Sequence, residues 1–218
     1  MSNPESFIEE VTEEVRRDRT FKFMKRYGWI GVVVVLGIVG GTAWREYQNA
    51  TQSASAQAFG DGILTALESD DSAARVTALD KLEAKSADGQ AVLDMLIAAE
   101  EGSAGDDAAA IERLQAISNN ADIPTIYRQI ASYKALARGA EILSVEDRQS
   151  GFEALAVAGQ PLRLLAEEQL ALIEIESGDK DAALTRLQAL IIDSEVTSGL
   201  RRRASQLIVA LGGAVEQS

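Results

Sequence analysis

Carboxylates are the side chains best placed to do acid–base chemistry in this chain, and they stand in adjacent pairs: Glu100 with Glu101, Asp106 with Asp107, and Glu167 with Glu168. A general acid–base pair needs two carboxyls facing one substrate, whereas neighbouring residues on a helix point about 100° apart. These pairs therefore suit solvation. The 218 residues include no histidine and no cysteine, which excludes imidazole proton transfer, thiolate nucleophiles, Cys/His zinc sites and disulfides. Gly60-Asp61-Gly62 lacks the third glycine and the preceding strand of a dinucleotide loop, and Asp70 with Asp71 lacks the 12-residue pattern of a calcium loop. No catalytic, cofactor-binding or metal-binding residue is assigned, and the chain is expected not to be an enzyme. The remaining charged feature is Arg201, Arg202 and Arg203. Two readings stay open for it: a solvated helix face complementing nearby carboxylates, or a contact with an acidic partner or anionic lipid.

The elements that must position these residues begin with an apolar run. KRYGWIGVVVVLGIVGGTAWREY spans Lys25 to Tyr47, and 18 residues without formal charge separate Arg26 from Arg45. As a helix they rise about 27 Å, near the roughly 30 Å of a bilayer core. Tyr27, Trp29, Trp44 and Tyr47 sit at the two ends, where amphipathic rings favour the headgroup layer. The run predicts an uncleaved signal anchor, since more than 25 mostly charged residues precede it and Trp44 with Arg45 follows it. Arg16, Arg17, Arg19, Lys22, Lys25 and Arg26 stand before it, placing the N-terminus in the cytoplasm by the positive-inside rule. Gly37 and Gly41 form a small-xxx-small pair, a possible helix–helix contact in the membrane.

Three regions are expected: a charged cytoplasmic helix over 1–26, a transmembrane anchor over 27–45 and a domain over 46–218 on the outer side of the membrane. In the first, Asn3 can cap, Pro4 takes the first helical position, and Phe7, Ile8, Val11 and Val15 recur at helical spacing. Of the net charge of −13, residues 1–46 contribute nothing, with 7 basic and 7 acidic side chains; residues 47–218 hold 14 basic and 27 acidic ones. The acidic part repels nucleic acid.

The whole chain is 46% hydrophobic, yet aromatics make up only 5% of it, so close-packed helices are favoured over a β-sandwich. Turn clusters delimit helices over 46–68, 72–85, 89–101, 107–118, 124–138, 145–158, 161–176, 180–192 and 197–211. The stretch AAEEGSAGDDAAAIERLQA aligns with ALIEIESGDKDAALTRLQA at an offset of 73 residues, matching Glu101 to Glu174, Gly105 to Gly178, Asp106 to Asp179 and Arg113-Leu114-Gln115-Ala116 to Arg186-Leu187-Gln188-Ala189. Further on, Arg128, Ala131, Ser132, Ala137 and Gly139 match Arg201, Ala204, Ser205, Ala210 and Gly212. An offset of 73 is about twice the 34-residue tetratricopeptide period with a few insertions. The fold class expected is all-α: a single N-terminal transmembrane helix followed by a tetratricopeptide-like α-solenoid.

FIEEVTEEVRRDR, the span ending in WREY, AQAFGDGI and the tail DSEVTSGLRRRASQLIVALGG together resemble the tetratricopeptide-like ancillary subunits of the bacterial Sec translocon, the YfgM type. The resemblance implies an inner-membrane scaffold whose periplasmic domain links a SecYEG-like translocon to periplasmic chaperones, with the lipid bilayer as its other contact and neither nucleic acid nor a small-molecule substrate. The alternative from a different class is an assembly or structural factor for another inner-membrane or envelope complex.

Overall fold

The computed structural model describes the backbone of residues 4–214, and among them the side chains of all but residues 4–23, 27, 28, 31 and 32. Asn3, and the side chains of Phe7, Ile8, Val11, Val15, Arg16, Arg17, Arg19, Lys22 and Tyr27, lie outside the described residues. The chain divides into two units, Met1–Ala58 and Phe59–Ser218.

The first unit consists of most of α1 (Pro4–Ala66). Trp29, Ile30, Val33, Val34, Val35, Leu36, Ile38, Val39 and Trp44 are all exposed within it. Among the described residues no helix is long and apolar enough to cross a membrane. The expected fold class is corrected on this point: the described residues are all-helical and repeat-like, and the expected transmembrane helix is not found among them.

The second unit holds residues 59–66 of α1 and then α2 (Ser72–Leu79), α3 (Ala87–Ser103), α4 (Asp107–Asn119), α5 (Thr125–Arg138), α6 (Val145–Leu155), α7 (Arg163–Glu176), α8 (Lys180–Ile192) and α9 (Ser198–Ala210). A single 3-10 turn, Gly139–Glu141, separates α5 from α6. Side-chain caps start most of these helices. Asp71, Ser86, Asp106, Ser144, Asp179 and Thr197 each accept a hydrogen bond from the backbone N–H three residues on, satisfying a donor that has no intrahelical partner. α2 stops at Leu79, earlier than its sequence pattern suggests, because the Asp80 and Leu82 amides turn back to Val76 and Leu79. The 3-10 turn and this early stop are both local backbone choices.

Packing runs along the sequence. One apolar cluster joins Ile63 and Ala66 of α1 with Leu79 and Leu93; the next joins Ala98, Leu114, Ile117 and Ala131. A third joins Leu136, Phe152 and Leu170, and the last joins Ala171, Leu187, Leu190, Ala204 and Ile208. Each cluster lies among three consecutive helical segments, so each hairpin covers an apolar face that its neighbour leaves open.

The 73-residue offset extends over this whole stack. α2 begins at 72 and α6 at 145, α4 at 107 and α8 at 180, α5 at 125 and α9 at 198. Buried positions follow the same rule: Leu79 and Phe152, Ala98 and Ala171, Leu114 and Leu187, Ala131 and Ala204. The unit is therefore two successive copies, α2 to α5 and α6 to α9, of one four-helix element.

Candidate protein-interaction surface

Between α3 and α4, Gly105 adopts φ +88°, and at the matching place between α7 and α8, Gly178 adopts φ +84°. Side chains with a Cβ are disfavoured there, which explains the glycines. The Asp106 amide then donates to Glu101 O at 2.9 Å and the Asp179 amide to Glu174 O at 2.8 Å, closing both helices identically. These turns bring a carboxylate and an arginine of each hairpin together. Arg113 Nε and Nη2 donate to Glu101 Oε1 at 3.0 and 2.7 Å; Arg186 Nε and Nη2 donate to Glu174 Oε1 at 2.9 and 2.7 Å. The hydrogen bonds donated to these carboxylates raise both guanidinium pKa values above the ordinary arginine value.

Each of the three carboxylate pairs singled out above is divided between different partners. Glu100 receives Arg75 Nε at 2.6 Å while Glu101 takes Arg113; Asp106 caps α4 while Asp107 accepts from Arg138 at 2.5 Å. Glu167 accepts from Arg186, and Glu168 accepts from Arg203 Nε and Nη2 at 2.7 Å each. Arg75 and Arg148, again 73 residues apart, each reach forward to the next long helix, the second pairing with Glu176 at 2.9 Å. These contacts assign the carboxylates to holding helices together. One Ser-x-x-Lys spacing, Ser177 to Lys180, falls on the α7 to α8 turn, where no hydrogen bond joins the two side chains. Asp71 serves as the cap of α2, and Gly60, Asp61 and Gly62 lie inside α1.

The arginine cluster on α9 is split by the helix. Arg203, half exposed, turns toward Glu168, whose side chain is only 7% exposed. The Glu168 hydrogen bonds raise the Arg203 pKa, and burial, with the Glu168 charge second, raises that of the Tyr133 phenol. Arg201 donates Nε to Ile191 O at 3.0 Å and is otherwise exposed, as is Arg202. Gly37 and Gly41 sit in the first unit with nothing within 4 Å of either Cβ position. They touch no other element among the described residues.

Among the clefts of the described surface, two lie along matching hairpins of the stack. One of about 450 Å³ opens among α3, α4 and α5, with Met95, Ala98 and Leu114 at its base and Lys134 and Arg138 at its edge. At the equivalent places on α9, Leu207 and Leu211 pack into the last apolar cluster. The other, also about 450 Å³, lies along α7 and α8 over Leu164, Ala189 and Leu190, flanked by Glu167, Arg186 and Asp193. Arg163 ties the end of α8 to the loop before α9 through Asp193 at 2.9 Å and Glu195 at 2.7 Å. Sequence reasoning missed Lys134, Arg138 and the Glu168 to Arg203 pair; the substitution of leucines for Lys134 and Arg138 in the second copy was the available signal.

Stacked helical hairpins with paired turns and shared arginine–carboxylate bridges define a helical-repeat protein of the kind that binds other proteins over an extended surface. Residues 22–155, more than half of the chain, match the Tetratricopeptide repeat-like domain family, and the chain belongs to that family. Such domains are typically non-catalytic protein-interaction modules. Comparison with curated proteins gives no match, and comparison with solved structures gives none. The matched residues end with α6, so α7 to α9 complete the second copy beyond the family match.

Proposed function

We propose that this chain is a protein-interaction scaffold in bacterial protein export, linking a SecYEG-like translocon to periplasmic chaperones as the YfgM-type ancillary subunits do. The observation that carries the reading is the duplicated hairpin stack of a tetratricopeptide-like family, joined to an N-terminal layout resembling those subunits. The two clefts offer apolar floors with charged edges, a chemistry suited to protein segments. The acidic surface favours protein over nucleic-acid partners.

Crosslinking in the native cell followed by purification of the full chain tests the reading. Channel subunits and exported precursors are the expected partners. Sole recovery of one unrelated envelope complex would replace this reading with that of an assembly factor.

A further inference from the structure

The repeat offset shows what one face of α9 has left uncovered. Ile63, Leu136 and Val209 stand 73 residues apart on α1, α5 and α9. Ile63 packs into the cluster containing Leu79, and Leu136 into the cluster containing Phe152, both fully buried residues of the helix that follows. Tyr133, next to Leu136 on the same face, meets Phe152 edge-on with ring centroids 5.7 Å apart. Gln129 donates to Gln160 at 2.6 Å from the connection beyond α6. Among the described residues Val209 has no such cover: it is 63% exposed, and the hollow of about 600 Å³ above it is lined by α9 residues alone. Arg201 keeps the charge of Arg128 and Arg202 replaces the neutral Gln129, so the uncovered face carries one positive charge more than its counterpart, in a chain of net charge −13.

We infer that this face of α9 is a docking surface for an acidic amphipathic helix of another protein, which sets a large apolar side chain on Val209 and carboxylates beside Arg201 and Arg202. The two earlier equivalent positions supply the geometry, since at each the apolar face of the next helix, centred on Leu79 or Phe152, covers it. Charge selects against a second copy, since two α9 helices face to face would bring two pairs of arginines together. The inference rests on the scaffold reading and names one of its contact surfaces.

The test uses the full chain with a photoreactive benzophenone residue at position 209 in the native cell, and peptide sequencing of each adduct. Adducts to acidic helical segments of another protein are expected, with yield falling about tenfold in Arg201→Glu/Arg202→Glu and partly in Arg201→Gln/Arg202→Gln. Helical content of the variants should match the parent and thermal unfolding should shift little, because both side chains are exposed and only the Arg201 to Ile191 O hydrogen bond is lost. Adducts to a second copy, to lipid alone, or insensitive to charge reversal would overturn the inference. A benzophenone at position 134 separates the two levels: adducts there with none at 209 would reject the α9 surface and leave the scaffold reading standing, whereas none at either position would reject both.

Discussion

Single residues account for the divided roles of the charges. Arg203 holds a carboxylate that the fold has nearly buried, so Arg203→Ala leaves Glu168 without its cation. The arginine is itself half exposed, which moderates the loss to about 1–2 kcal/mol, readable by urea unfolding. Gly178→Ala forces a Cβ onto a left-handed backbone and should cost about 1–2 kcal/mol by the same measurement. Asp193 adds a pH dependence. Hydrogen bonds from Arg163, and then from the Glu195 amide, hold its carboxyl below the ordinary value in the folded chain. The unfolded chain thus takes up this proton at a higher pH than the folded one, so the stabilisation is complete above about pH 5 and is lost as acid approaches the folded pKa. Asp193→Asn should flatten that acid limb in pH-dependent unfolding while leaving the rest of the curve in place. The repeated Glu101 and Glu174, Arg113 and Arg186 were visible in the sequence as matching letters. Their pairing was not, because residues 12 apart meet only after a turn reverses the chain.

At the scale of elements, the caps and turn glycines made most helices legible, and α4, α6 and α8 begin where their Asp and Ser signals place them. Legibility failed where the decision was local backbone geometry, at the early end of α2 and at the 3-10 turn before α6. It failed again in the first unit, where an apolar pattern was read as a membrane-crossing helix and the described residues contain none. The stack also makes an energetic prediction. Phe152→Ala empties the centre of the cluster shared by α5, α6 and α7 and should cost about 3–5 kcal/mol, with Leu79→Ala at the matching position costing about 2–5 kcal/mol. Because each hairpin contacts chiefly its neighbours, hydrogen exchange should accelerate most in α5 to α7 for the first variant and around α2 and α3 for the second. Uniform acceleration throughout would mean that the stack unfolds as one unit.

For the molecule as a whole, duplication was the feature most legible in sequence and the one that explains most of the second unit. Its extent was hidden because identities concentrate in α4 and α8, while α2 and α6 share little beyond Arg75 and Arg148, a conserved core position and a cap. The copies diverge at polar Lys134 and Arg138 against packed Leu207 and Leu211, and at covered Leu136 against open Val209. The most direct test is residue-resolved crosslinking mass spectrometry of the full chain in its native cells. The account predicts reproducible partner crosslinks to the α3 to α5 cleft and the α9 face, from proteins of the export machinery. Crosslinks absent from the hairpin stack, or confined to one unrelated complex through the first unit, would contradict it.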